Sequence, residues 1–259
     1  MSPAPNPDPQ TADLPDPEHC LDCARDFLGR IQATNDLRRS LEFLWQATHC
    51  LGAEVALLAT YLHGVESGDS FRMMLACDPQ WSTEYERLGS YVCDPWLSYA
   101  MRHSEPIRSF ELPMPTHAER ALTASAETFG FRSVVIVPAP AGASRSRVGM
   151  LCLGSSSPHR FEGAAYPTFK LVARGVAMEL HEWWLQSMAQ ALLARTGITE
   201  RERGLLSRLA AGDSTKAIAR AAGQSTAAVH SQIQRLKGKL GVPDRRQAIR
   251  IAADNGLLD

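Results

Sequence analysis

The residues from Ser225 to Gly241, STAAVHSQIQRLKGKLG, combine types and spacing suited to one kind of chemistry. On a helix, Val229, Ile233, Leu236 and Leu240 fall at i, i+4, i+7 and i+11 and form one apolar stripe. The other faces carry His230, Ser231, Gln232, Gln234, Arg235, Lys237 and Lys239, with no Asp or Glu among them. Such a face offers hydrogen-bond donors to base edges and cations to phosphates, and an acid there would repel a nucleic-acid backbone. An isolated basic amphipathic helix is more often a solvated surface than a reader of DNA, so its neighbours must decide.

Those neighbours point the same way. The chain has 259 residues, with 27 Lys and Arg against 28 Asp and Glu. Residues 196–259 hold 11 basic and 6 acidic side chains, a balance of +5, which leaves 16 and 22 for the rest, or −6. The basic C-terminal quarter is therefore the polyanion-binding part. Its pattern predicts helices at about Glu200–Ala211, Ser214–Ala222, Ser225–Leu240 and Arg245–Asn255. Thr199, Ser214 and Ser225 are placed as N-caps, and AAGQS makes a tight turn between the second and third helices. Two helices meeting at a short Gly-containing turn, the second one basic, form a helix-turn-helix signature. Gly238 costs the recognition helix about 1 kcal/mol of propensity, and nothing in the sequence explains it.

The first 195 residues read differently. Residues 1–18 contain six prolines and no apolar run, and read as a disordered leader rather than a signal peptide. Two amphipathic helices follow from Cys20, then strands near Val55–Leu62 and Phe71–Ala76 that close a hairpin. Helical spacing broken by Pro79, Pro95 and Pro106 leads to a helix at Ala118–Phe129. SVVIVPAP and RVGMLCLGS are apolar, β-branched strands joined by the turn-rich AGASRS, and a long helix spans Pro167–Ala194. Within it Trp183 and Trp184 are adjacent, so they point in different directions and cannot both face one core; one is available for a subunit interface. ARTGIT supplies a short linker.

Helices alternating with short strands predict an α+β chain: an N-terminal α/β/α sandwich around an antiparallel sheet, then a C-terminal all-α domain of four helices with a helix-turn-helix. The expected divisions are 1–18, 19–194 and 195–259. Six scattered cysteines fit the reduced thiols of a cytoplasm, and His19-Cys20-x-x-Cys23 lacks the second pair that a zinc site needs. No metal or cofactor is expected. No segment approaches the ~18 apolar residues of a membrane span. With no nucleophile elbow, phosphate loop or metal cluster, an enzyme using Asp94, a His and a Cys is disfavoured.

From ITERERGLL to ADNGLL the chain closely resembles the DNA-binding domain of LuxR-type regulators. The matching positions are Thr199, Glu202, Leu206, Gly212, Ile218, Ala219, Ser225, Val229, His230, Lys239, Leu240, Gly241, Val242, Arg246, Ala248, Gly256 and Leu257. The resemblance implies that Ser225 opens the recognition helix and that His230, Gln232 and Gln234 contact base edges or nearby phosphates. Gln can pair bidentately with adenine. Thr215, Lys216, Arg235, Lys237, Lys239 and Arg246 would lie near phosphates, and Glu202 would be an ion-pair or capping partner inside the domain.

WSTEYERLGSYVCDPW resembles the acyl-homoserine-lactone-binding domain of quorum-sensing regulators, and the likeness extends over residues 20–190. Trp81, Tyr85, Asp94 and Pro95 reproduce that family's W-x3-Y-x8-DP spacing. A phospho-receiver is disfavoured, since Lys170 is the only lysine before residue 196. The resemblance implies that Asp94 accepts a ligand amide N–H, that the Trp81 indole donates to a lactone carbonyl, and that Tyr85 walls the acyl chain. Departures are Ser109, beside Phe110, at the family's second tryptophan; Cys77 at a tyrosine; Val134 at a glycine; and Cys152 on a strand where a hydroxyl often stands. Phe110 and Cys152 thus join the candidate ligand residues.

The implied function is a cytoplasmic transcription regulator that binds promoter DNA as a homodimer in response to a small acyl signal. RNA polymerase is a further partner it could engage. The alternative is an orphan regulator of the same type that binds DNA without a lactone, controlled by another small molecule or a partner protein.

Overall fold

The protein's computed structural model describes residues 14–64, 69–140 and 147–258. Residues 1–13 of the expected leader and the AGASRS turn lie outside the described residues. The end of the leader is corrected, because Leu14 is buried and helix α1 (Pro17–Gln32) starts inside it. Asp16 accepts the Glu18 N–H, and Pro17 takes the first helical position, where its missing N–H costs nothing.

Helix α2 (Ser40–Cys50) precedes the hairpin β1 (Val55–Leu62) and β2 (Ser70–Ala76). Then come α3 (Gln80–Arg87), α4 (Pro95–Ala100), the short β3 (Ile107–Arg108), α5 (His117–Glu127), β4 (Ser133–Pro140), β5 (Arg147–Ser155) and α6 (Tyr166–Thr196). The strands pair antiparallel in the order β2-β1-β5-β4-β3. Register sets Leu57 opposite Cys152 and Cys152 opposite Ile136, so one row of side chains crosses three strands. Because side chains alternate, Leu57, Ala59, Ile136 and Cys152 meet α3, α4 and α5, while Ala56, Leu58, Leu151 and Leu153 meet α1, α2 and α6. This is the expected α/β/α sandwich.

The expectation for the paired tryptophans is corrected. Trp183 and Trp184 are both buried in one cluster. Helix α6 is flanked by α1 and α2 as well as by the sheet, so directions ~100° apart both meet core. The Trp183 indole donates to the Thr34 carbonyl at 2.5 Å and meets Phe43 edge-on, with centroids 4.9 Å apart.

The expected linker is corrected too. Helix α6 runs through Thr196 and ends on Gly197, whose φ of 61° is the left-handed cap that favours glycine. Leu192 and Ile198 then enter the C-terminal core beside Leu206, Leu236, Leu240, Ala252 and Leu257. That domain consists of α7 (Glu200–Ala210), α8 (Thr215–Ala221), α9 (Thr226–Leu240) and α10 (Arg245–Asp254). A second small core joins Leu205 and Leu209 to Ile218, Val229 and Ile233.

Polar contacts tie the two domains. Arg72 donates to Asn255 Oδ1 at 3.3 Å, Arg147 to the Ala253 carbonyl, and Arg250 to the Asp69 carbonyl at 3.4 Å. Gly256 lies so close to α6 that a Cβ would come within 2.9 Å of the Leu185 carbonyl.

Candidate ligand site and nucleic-acid interface

The N-terminal site begins at a helix start. Asp94 has extended backbone and caps α4, its Oδ1 accepting the N–H groups of Trp96 at 2.8 Å and Leu97 at 3.2 Å. Pro95 holds the first helical position and is buried. The other carboxylate oxygen accepts the Tyr85 hydroxyl at 2.7 Å. Asp94 is only 2 % exposed; burial pushes its pKa up, opposed by the hydrogen bonds from Tyr85, Leu97 and Trp96. Burial and then the Asp94 charge push the Tyr85 phenol up in turn, so it stays a donor.

Around this acid stands an aromatic cluster. Trp81 and Tyr85 share a face of α3, with ring centroids 5.8 Å apart. Trp81 also packs on Phe129 and Phe131, at 5.3 Å and 6.3 Å, and Trp96 reaches Phe131 at 5.8 Å. Trp81 Nε1 and Trp96 Nε1 are buried and have no hydrogen-bond partner among the described residues. Buried donors normally find acceptors, so two orphans in one cluster mark a place that can take a ligand with acceptor groups. Asp94 Oδ2, holding one donor, retains a lone pair. Cys152 is fully buried on the sheet side, its thiol pushed up by burial and then by Asp94.

The structure brings Trp81, Tyr85, Asp94, Pro95 and Cys152 into one apolar cluster or its edge. Phe110 is corrected: it is 62 % exposed and lies outside that cluster. Its 3-10 turn is held by the Arg108–Glu111 pair at 2.7 Å, and the Arg108 guanidinium sits over its ring at 4.7 Å. Sequence reasoning missed Trp96 and Phe131. Trp96 follows Asp-Pro directly, and Gly154 was the signal for Phe131, since a Cβ there would come 2.5 Å from the Phe131 ring.

The second site is helical. Ser214 and Ser225 cap α8 and α9 by accepting the Ala217 and Ala228 N–H groups, both at 3.1 Å. Val229, Ile233, Leu236 and Leu240 are the buried stripe of α9, as the spacing predicts. His230, Ser231, Gln234 and Arg235 are exposed on the opposite side, Lys216 and Arg246 are exposed nearby, and Thr215 is half-buried at the start of α8. Gln232 and Lys239 are committed elsewhere. The Gln232 amide donates to Gln224 Oε1 at 3.0 Å, bracing the turn, and Lys239 Nζ binds Glu202 Oε2 at 2.6 Å and the Gly197 carbonyl at 2.8 Å. Glu202 also forms a reciprocal cap with Thr199, so it is a partner inside the domain. Lys237 donates to Gln234 Oε1 at 3.1 Å.

Residues 36–177 match the family model of the autoinducer binding domain, and residues 196–252 match that of the bacterial regulatory proteins of the luxR family. The fold is similar to the crystal structure of Escherichia coli SdiA, with a TM-score of 0.66 and 16 % identity over 92 % of this chain and 98 % of that one. SdiA in complex with octanoyl-rac-glycerol gives 0.65 and 16 %, covering 92 % and 96 %. CepR2 of Burkholderia cenocepacia, an N-acylhomoserine lactone dependent LuxR family transcription factor, gives 0.55 and 15 %, covering 66 % and 99 %. No curated protein matches the sequence. At these identities the structural likeness speaks for the fold, and the family models for the domains.

Proposed function

The chain belongs to the LuxR family of regulators with an autoinducer-binding domain, and from that premise we propose that a small acyl signal, buried beside Asp94, controls its binding to promoter DNA as a homodimer in the cytoplasm. One observation carries the reading. Two buried indole N–H groups with no acceptor among the described residues stand in the cluster that holds Asp94, which has an open lone pair. A ligand with two carbonyls and an amide N–H complements that set. SdiA binds octanoyl-rac-glycerol and CepR2 depends on an N-acylhomoserine lactone, so both chemistries are candidates here.

On the DNA side, His230 and Gln234 read base edges while Arg235, Lys237, Lys216 and Arg246 hold phosphates. A two-fold protein matches two-fold half-sites. Leu171 and Met178, 69 % and 46 % exposed on α6, give a dimer an apolar place to meet. RNA polymerase is the partner through which a bound regulator would act.

The test is the melting of the full chain with N-acyl homoserine lactones of graded length and with octanoyl-rac-glycerol. A binder present at a hundred times its Kd should add about 2.7 kcal/mol, and Trp81→Phe should remove most of that gain. The ligand-free alternative has one observation of its own: Asp94 already receives three donors, so the cluster closes without a signal. Unchanged melting with every compound would decide for it.

A further inference from the structure

Helix α9 carries one residue that weakens it. Glycine is the least favourable helix residue after proline, and Gly238 stands in the last turn of α9. It is not among the glycines with positive φ, so no turn requires it. A Cβ added to it would meet nothing within 4 Å, so no described neighbour requires it either. Its carbonyl accepts the Gly241 N–H at 3.2 Å, a bond that any residue would offer. Nothing described in the chain accounts for the missing side chain.

Its place on the helix does. At ~100° per residue Gly238 falls ~180° from Val229, the first member of the buried stripe, and within ~40° of Ser231 and Gln234. All three are exposed, so Gly238 is at the centre of the face that α9 turns away from its own domain. Arg235 and Lys237 stand on either side of it. The rise of ~1.5 Å per residue sets it ~6 Å beyond Gln234 and ~12 Å beyond His230 along the axis. A major groove is ~12 Å wide, so with His230 and Gln234 on base edges this point has reached the phosphates at the border. Open carbonyls at a helix C-terminus would repel an anion, but those of Lys237 and Gly238 already accept the Val242 and Gly241 N–H groups, at 3.0 Å and 3.2 Å.

Resting on the reading of α9 as the DNA helix, we propose that Gly238 is a positioning residue for DNA: its bare backbone lets the phosphodiester chain lie against the helix between Arg235 and Lys237. A side chain there would hold the strand off by at least the thickness of its Cβ. Both cations would then have to reach further, and the register of His230 and Gln234, which phosphate contacts fix, would slip. The helix stability given up in the free protein is offset at the interface. Gly29, Gly175 and Gly204 have surroundings as open as those of Gly238 but lie on α1, α6 and α7, outside the helix-turn-helix, so they separate the effect of position from that of glycine itself.

The test measures two properties of the full chain. Gly238→Ala should raise the midpoint of thermal unfolding without DNA by about 2–4 °C. The same variant should bind a random-sequence duplex at about 50 mM salt at least about fivefold more weakly than the parent, and Gly238→Leu more weakly still. The salt slope should fall by about 1 as one phosphate contact is lost. Gly204→Ala, the same change in α7, should raise the midpoint and leave the affinity where it was. Opposite signs in the two measurements mark a residue kept for DNA, since a merely structural glycine would move stability alone. Unchanged affinity in Gly238→Ala, or an equal loss in Gly204→Ala, would overturn the inference and leave the DNA-binding reading standing. No binding of the duplex by the parent chain would overturn that reading, and the inference with it.

Discussion

Replacing Asp94 by alanine isolates what this buried acid does for the fold. The variant loses the acceptor for two backbone N–H groups at the start of α4, a cap worth about 1 kcal/mol. It also strands the Tyr85 hydroxyl, 2 % exposed, at a cost of about 1–3 kcal/mol, less the relief of removing a desolvated carboxylate. The net expectation is a loss of about 2–3 kcal/mol. Asp94→Asn keeps an oxygen for both backbone donors and removes the buried charge, so it should stay within about 1 kcal/mol of the parent. Urea unfolding followed by tryptophan fluorescence measures both, because all five tryptophans (Trp45, Trp81, Trp96, Trp183 and Trp184) precede the DNA-binding domain. If alanine proved as mild as asparagine, α4 would not need its side-chain cap, and the argument from the helix start would fail.

Four further outcomes can be checked. Burial, and then the Arg147 cation, hold His181 at about 4, below its ordinary 6.5, so the unfolded chain takes up the proton first as pH falls. Stability should be full above pH 6.5 and drop by about 3 kcal/mol toward pH 4, and urea midpoints of His181→Gln should show a flatter slope across that window. Gly238→Ala should stabilise α9 by about 1 kcal/mol in thermal unfolding without DNA, since nothing lies within 4 Å of the added Cβ. In electrophoretic titrations, Gln234→Ala should weaken operator binding more than binding to random duplex, whereas Lys237→Ala should weaken both and lower the salt slope by about 1. Lys239→Ala should leave that slope unchanged and cost the domain up to about 1 kcal/mol, because its ammonium is tied to Glu202 and Gly197.

The stripe of α9 and the caps at Thr199, Ser214 and Ser225 were legible because a helix writes its buried face and its ends locally. The strands were legible for the same reason, as period and turn chemistry are short-range. The fate of Trp183 and Trp184 was not: adjacency fixes two directions, but only the packing of α1 and α2 against α6 puts core in both. Lys239 looked like its neighbour Lys237, and the difference lies in Glu202, distant in sequence and 2.6 Å away in space. Phe110 was drawn into the site by proximity to a family position, yet a local ion pair turns its segment outward. Trp96 ends WSTEYERLGSYVCDPW, and its burial beside Asp94 follows from the α4 turn that Asp-Pro begins.

The junction joins the two domains through the end of α6 itself. Leu192 belongs to α6, the longest helix of the sandwich, yet it packs in the core that supports α7, α9 and α10. Any ordering of the sandwich that fixes α6 therefore fixes one side of the DNA-binding domain. Arg72, Arg147 and Asp69 also hold the end of α10. The exposed Arg250–Asp69 contact costs little to break, whereas removing Leu192 from a core would cost about 2–5 kcal/mol for the truncation alone. The apolar tether is thus the fixed joint, and the exposed Arg250–Asp69 contact the adjustable one.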